Sequence, residues 1–429
     1  MMKTLYRTVF LLFISVCYMA HPAEAIVYID ITAPGMRQIP IAVPYLDTLP
    51  RTFENDLVGR KLAEVLSNDL TFHGFFSVLD PMTYGGRANA DWGRYRLDFL
   101  VTGSVTANGD TISVDWRLLE MPSQKVLEQR NYTGKSGDYR RMAHEFCDVI
   151  IKAITGEHGV SLSKIAFVGK NGAFKDVFIA DFDGYGPVAV TSDKSATLSP
   201  RFSPDGNRIA YTSYRSGKPH LYIKDLRSGK VTKIAGHPGI NISPAWHPNG
   251  DRLAVSLSKD GQPDIYVIDL QGRVLEKLTG GIGMKVSPTW SPDGTRIAYV
   301  SDQSGSPQIY VMNLATRSSK RITHSGDYNT DPQWSPKGDR IAYVSRIGGR
   351  FQIMTISPDG GALTQLTSSG SNENPVWSPD GRLILFTSNR FGPKSLFVML
   401  ANGDAQRILM RHNGPVSTPS WGPNRSQAQ

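Results

Sequence analysis

Cysteine is almost missing from this chain of 429 residues: only Cys17 and Cys147 occur. A disulfide framework is therefore excluded once the N-terminal segment is set aside, because Cys147 would stand alone. Its neighbours Phe146, Val149 and Ile150 mark it as a buried small hydrophobe. No H-x-x-x-H or C-x-x-C pair exists, so no metal site is expected. No G-x-S-x-G elbow exists, which removes the serine-hydrolase class. Gly134-Lys135-Ser136 echoes the end of a phosphate loop, but position 129 is glutamine where that loop needs glycine. No cofactor is expected. Long Lys/Arg runs are also absent. The net charge of +9 is dispersed, which mildly favours acidic partners and argues against nucleic acid.

Long apolar runs are missing too. The longest, Val9–Ala20, has 12 residues, well short of the about 20 that span a bilayer. Lys3 and Arg7 precede it and Ala23-Glu24-Ala25 follows, the pattern of a cleaved secretory signal over residues 1–25. A lipobox at Cys17 is the weaker alternative, since Val16 is bulky for the position before the cysteine. Cleavage after Ala25 lowers the net charge to +8 and predicts an exported chain that does not span the membrane.

What the chain has in abundance is one repeated signature. Aromatic anchors stand at Phe202, Trp246, Trp290, Trp334, Trp377 and Trp421, at steps of 44, 44, 44, 43 and 44 residues. Most are followed by Ser-Pro-Asp-Gly or a close variant, and each is preceded two residues earlier by proline. A period of about 40–45 residues is that of one four-stranded propeller blade. In the third repeat, Arg296–Ser301, Gln308–Leu314 and Lys320–Thr323 read as three strands, with the anchor supplying the fourth. Apolar residues on both faces of Ile297-Ala298-Tyr299-Val300 fit a blade sandwiched between two others.

The repeat predicts a mainly β chain: a six-bladed propeller over residues 164–429, behind a small α/β domain at 26–158 and a linker at 159–163. In the leading domain, Ile26–Ile31, Ile39–Pro44, Phe76–Leu79, Phe99–Val105, Thr111–Leu119 and Lys125–Tyr132 read as strands. Asn108-Gly109 is a hairpin turn. Helices are expected over Thr52–Phe72 and Tyr139–Ile154. Lys164–Gly169 lacks an anchor before it and Trp421 lacks a strand after it. Pairing of 164–169 with 417–422 would close the ring and remove two free edges.

The repeated motif itself reads as structural, with Pro and Asp-Gly setting a tight turn and the aromatic packed between blades. The anchor strand would be innermost, where proline is tolerated at a sheet edge. Binding is then expected on the opposite rim, in the loops leading into each anchor. Candidate partner-binding residues are His237, Asn241, Lys285, Tyr328, Asn329, Thr330, Asn372 and Glu373, with Asp331 and Asn374 beside them. These would ring the channel mouth, surrounded by Arg215, Lys218, Lys259, Arg346, Arg350, Arg390 and Lys394. No catalytic pair stands out. A channel enzyme acting on glycans or peptides is the alternative reading.

A secretory signal, a small α/β domain and six W-S-P-D-G blades, in that order, resemble the TolB family of Gram-negative periplasmic proteins. The resemblance covers essentially the whole chain. It implies a periplasmic, non-catalytic adaptor of the Tol-Pal system that binds the lipoprotein Pal at one propeller mouth. It also implies communication with the inner-membrane protein TolA through the N-terminal domain, in support of outer-membrane constriction at division and envelope integrity. Colicins exploit the same channel in some members. The segment after Ile26 looks short for the family's mobile N-terminal arm, so coupling to TolA rests on less than binding of Pal.

Overall fold

The computed structural model describes residues 37–49 and 52–424. The signal segment and the strand expected at Ile26–Ile31 lie outside the described residues.

In the leading domain, apolar spacing and capping produce two helices. Helix α1 (Phe53–His73) starts where the Thr52 hydroxyl accepts the Asn55 N–H at 3.2 Å, and ends at Gly74 with φ +79°. Helix α2 (Tyr139–Thr155) ends at Gly156 with φ +74°. Both cover one face of a sheet built from β1 (Ile39–Ala42), β2 (Asp47–Leu49), β3 (Phe76–Val78), β4 (Phe99–Asn108), β5 (Thr111–Glu120) and β6 (Lys125–Lys135). The order is β3-β1-β4-β5-β6, with β2 also on β4. Hairpin β4–β5 turns at Asn108-Gly109, and Gly109 takes φ +59°. Leu62, Leu66, Leu70, Ile150 and Phe146 pack on Val101, Val114 and Trp116, with the Trp116 and Phe146 rings stacked at 5.3 Å. Strand β2 escapes the sequence pattern because three residues are too few to show a period of two.

The second domain is six four-stranded antiparallel sheets. Blades 1 to 5 span 197–235, 241–277, 285–321, 329–365 and 372–410, each beginning with its anchor strand. The anchor strands adjoin one another around a central channel. Blade 6 is composite: Ser417–Trp421 pairs with β7 (Lys164–Asn171), followed by β8 (Phe174–Asp181) and β9 (Val188–Ala189), with Trp421 opposite Ile165 and Ser420 opposite Ala166. Each anchor packs between its own blade and the one before. Trp246 sits with Ala210 and Leu221 of blade 1 and Leu253 of blade 2. Trp246, Trp290 and Trp377 donate their Nε1–H to the carbonyls of Arg201, Ala245 and Gln333 on the preceding anchor strand, at 3.0–3.1 Å.

The segment read as a linker is built into the interface instead. Val160, Ser161 and Ser163 are buried, and Ser163 Oγ accepts the Trp421 Nε1–H at 2.8 Å. At the end of α1, Phe72 leaves its own domain's core and joins Phe182, Leu400 and Trp421 of the propeller. Burying a side chain of this size contributes about 2–3 kcal/mol. The N-terminal domain therefore docks on blades 5 and 6, on the rim of the tight turns, and among the described residues nothing covers the loop rim.

Candidate protein-docking rim

Two rims follow from the blade path. Every anchor strand runs from the loop rim to a tight turn, and the second strand returns. The turns are held by their own residues: Ser291 Oγ bonds Asp293 Oδ1 at 2.5 Å and accepts the Arg296 N–H at 2.9 Å, while Gly294 takes φ +69°. The same pattern recurs at Ser203-Pro-Asp-Gly and Ser378-Pro-Asp-Gly. The motif's side chains are spent on turn geometry.

Four of the expected contact residues lie beneath the rim surface. Asn241, Lys285, Asn329 and Asn372, each five residues before its anchor, are buried. Asn241 Nδ2–H donates to His237 O at 2.8 Å. Asn329 donates to Gln308 Oε1 at 2.8 Å and Ser325 O at 2.9 Å. Asn372 donates to Gln352 Oε1 and Ser369 O at 2.9 and 3.0 Å. The Lys285 ammonium donates to the carbonyls of Gly281, Ile282 and Gly283, at 2.8–3.1 Å, and lies 3.9 Å from Asp264. A buried polar group must find partners, and here the partners are the loops' own carbonyls and, for Asn329 and Asn372, the side chains of Gln308 and Gln352. These side chains bolt the loops rather than ring the mouth.

His237, Tyr328, Thr330 and Glu373 keep partial solvent access. Thr330 and Glu373 occupy equivalent places in blades 4 and 5, one residue into the anchor strand. Leu198, Ile242, Val286 and Ser417 fill that place in the other blades, all half-buried. Glu373 is held by Lys394 Nζ at 2.7 and 2.8 Å. The Arg346 guanidinium lies over Tyr328 and pairs with Asp327 at 2.7 Å. Of the basic residues expected around the mouth, Arg390 turns inward to Asn372 Oδ1 at 2.8 Å and Gln406 Oε1 at 2.7 Å.

One ring went unread in the sequence. The residue before each repeated proline has a left-handed backbone: Ser199, Ser243, Ser287, Asp331, Asn374 and Thr418, with φ between +43° and +55°. Each sits where the pairing of anchor and second strands shifts register. In successive blades some of these side chains join across the channel. Asn374 donates to Asp331 Oδ2 at 3.0 Å and accepts the Thr418 N–H at 3.3 Å, and Thr418 Oγ1 accepts the Ser199 N–H at 3.4 Å. All six are small and polar, a signal that was present in the sequence. Burial raises the Asp331 carboxyl pKa, with Glu373 adding to the rise and Arg201 opposing it. Burial likewise lowers the Arg201 pKa. Arg201 faces the channel at its turn-rim end, in a cavity of about 330 Å³ lined by the six anchors.

Sequence reasoning also missed an apolar fringe on the loop rim. Tyr214, Ile282, Met284, Ile347 and Phe391 are exposed, Ile282 to 86% and Phe391 to 68%. They lie in the loops before an anchor or between second and third strands. No period relates them, which is why the repeat does not reveal them.

A separate ionisable cluster joins the two domains. Asp69, His144 and Asp183 bring three potential ligand atoms within 4.8 Å of one another. Protein cations already neutralise it: His144 Nδ1 is 2.6 Å from Asp69, Arg140 is 2.5 Å from Asp183, and Lys164 pairs with Asp181. Burial alone would lower the His144 pKa, but hydrogen bonds and charge from Asp181 and Asp69 outweigh it and hold the imidazole at about 9. The cluster therefore serves as a docking ion-pair hub.

Comparison with known proteins matches both domains. The TolB beta propeller domain matches residues 151–425 and the TolB amino-terminal domain residues 27–127. The chain is similar to the Tol-Pal system protein TolB of Desulfotalea psychrophila, with 40% identity over 207 residues, 48% of this chain and 47% of that protein. It is similar to the same-named protein of Desulfosudis oleivorans at 36% identity over 237 residues, 53% and 54% of the two chains. The matched stretch thus spans about half the length of these curated relatives. The crystal structure of TolB from Acinetobacter baumannii aligns over 92% of this chain and 98% of that one, with TM-score 0.80 and 27% identity.

Proposed function

From the premise that the chain belongs to the TolB family, we propose that it is a non-catalytic periplasmic adaptor of the Tol-Pal system. It binds a Pal-type lipoprotein at the loop rim and couples that binding to a TolA-type inner-membrane partner through the N-terminal domain. In that role it supports outer-membrane constriction at division and envelope integrity. The observation that carries the reading is the loop rim, which nothing covers among the described residues, with its fringe of exposed apolar side chains, while the N-terminal domain docks on the other rim. Exposed apolar groups around a polar mouth are the anatomy of a protein interface. His237, Tyr328, Thr330 and Glu373 contribute direct contacts. Asn241, Lys285, Asn329 and Asn372 act by holding the loops in a preformed shape. Colicin segments, where they are met, would enter by the same mouth. Coupling follows if lipoprotein binding favours one of two interdomain states.

The channel enzyme is less supported. Glu373 is committed to Lys394, and Asp331 receives the Asn374 amide, so neither carboxylate stands free as an acid–base pair. The test is a pulldown from solubilised envelopes with the folded parent, a Thr330→Glu variant and a Phe391→Asp variant. The parent should retain a Pal-type lipoprotein and both variants should lose it while remaining folded. Retention by both variants would move the contact away from this rim, and no retention by the parent would sink the adaptor reading.

A further inference from the structure

Among the described residues, the N-terminal sheet ends in a long strand with one edge that no other strand pairs. Strand β6 is 11 residues long and pairs with β5 alone. It contains no proline. An edge of this length presents a row of backbone donors and acceptors to any extended chain. Beside it runs a trough of about 970 Å³, which belongs to neither the loop rim nor the channel. Alternate β6 side chains, Glu128, Arg130 and Tyr132, form one wall. The outward face of α2 forms the floor, with Arg141, Glu145, Val149 and Lys152 at helical spacing. The segment Ser161–Lys164 and Asp181 of the propeller close the far side. A strand added at this edge would project its side chains on the α2 face into the trough.

Charge decides what kind of strand fits. The trough's carboxylates are all engaged. Glu128 pairs with Arg130 at 2.8 Å and Glu145 with Arg141 at 2.5 Å. Asp148 accepts the Ser161 N–H at 2.9 Å and the Asn424 amide at 2.8 Å. Asp181 pairs with Lys164 and lies 3.7 Å from Arg140. Among the described residues nothing pairs Lys152, which is exposed at the trough. The unmet charge is positive. Lys135, exposed at one end of β6, deters pairing with another basic edge and favours an acidic one.

We propose that β6 and its trough are a docking site for an extended, acidic segment of a protein partner, added to the sheet as a strand. Main-chain hydrogen bonds to the β6 edge would supply affinity, and alternate side chains of the segment would enter the trough toward Tyr132, Val149 and Lys152. Because the trough is walled by both domains, the docked segment would touch the interdomain joint directly. The inference goes beyond the loop-rim reading and does not require it.

The probe is a synthetic ten-residue peptide alternating Val with Asp, titrated into the full chain by fluorescence anisotropy, with hydrogen exchange read on the complex. Saturable binding with new protection at backbone amides of 125–135 is expected. A peptide of the same sequence N-methylated at alternate residues, and one with Lys in place of Asp, should each bind about tenfold more weakly or worse. Lys152→Glu lies on the exposed helix face and should lower the melting temperature only slightly, because it reverses one charge in the last turn of α2, while weakening the Asp peptide and strengthening the Lys peptide. Absence of saturable binding overturns the proposal. So does binding that ignores N-methylation or adds no protection at 125–135, which would mark the trough as a pocket for another class of ligand.

Discussion

Asparagine at the head of an anchor strand illustrates how a residue type can be right and its role wrong. An amide that bolts a loop and an amide that greets a partner are the same letter in the sequence. Only the neighbouring carbonyls, supplied by residues 3 to 21 positions away, separate the two. Asn372 donates to Gln352 and Ser369 and accepts from Arg390. Asn372→Ala leaves buried acceptors and a guanidinium N–H unmet, which costs about 1–3 kcal/mol. The urea midpoint should fall accordingly, whereas Thr330→Glu, at a partly exposed place whose side chain bonds only the neighbouring Asp331 carboxyl, should cost less than Asn372→Ala. Equal losses from both would refute the division into bolts and contacts. The left-handed ring makes a second demand. Ser243 holds φ +55° before a proline, a conformation that a β-branched side chain resists. Ser243→Val should destabilise by about 1–3 kcal/mol, while Ser243→Gly should be near neutral because glycine adopts positive φ without steric cost. Melting curves of the two variants check this, and a stable Val variant would mean that the strand relaxes its register.

Elements were far more legible than contacts. A signature repeating at 43 or 44 residues states the blade count without any structure, and alternation and capping located both helices of the leading domain to within a residue or two. The closing strand follows the same logic, since Ser417–Trp421 completes the sheet begun at β7. Deleting residues after 416 would leave the inner edge of β7 bare and remove Trp421 from the cluster that also holds Phe72 and Phe182. Both the ring and the domain interface lose a wall, so the melting temperature should fall by about 10 °C or more. An unchanged melting temperature would show that the ring does not depend on this strand. What the sequence did not disclose is how the domains meet. Phe72 against Phe182, Arg382 against Glu157 and Asn424 against Asp148 join residues 110 to 276 positions apart. No local period encodes such pairs. The loops of the docking rim were legible for the reason that blades were, while their exposed apolar tips vary from blade to blade and carry no repeat.

At the scale of the whole molecule, two buried histidines set opposite limits on domain docking. His73, at the end of α1, bonds Ser161 at 3.1 Å, and burial, aided by Arg382 and Arg407, lowers its pKa to about 3. It must be neutral in the docked state. Its contribution is therefore present above the unfolded value near 6.5 and is lost as pH falls toward 3. His144 is the converse. Held at about 9 by Asp69 and Asp181 against burial, it must be charged, so its contribution is complete below about 6.5 and is lost as pH rises through 9. Two carboxyls shape the acid limb. Burial holds Asp69 at about 6, so its protonation relieves a cost and blunts the fall. The Asp181 carboxyl lies below the usual carboxylate range: burial opposes this, and its bonds to His144 and Lys164 prevail, so its contribution is lost only in strong acid. Stability should thus peak near neutral pH and fall on the alkaline side by up to about 3 kcal/mol by pH 10. Calorimetry of the full chain from pH 5 to 10, with limited proteolysis around residues 156–163 as a second readout, tests the sign. His144→Gln should lower the neutral plateau and flatten the alkaline limb while keeping the acid limb, and His73→Phe should flatten only the acid limb. A parent curve that is level from pH 7 to 10, or an alkaline slope that survives His144→Gln, would show that the histidine–carboxylate hub does not hold the domains together.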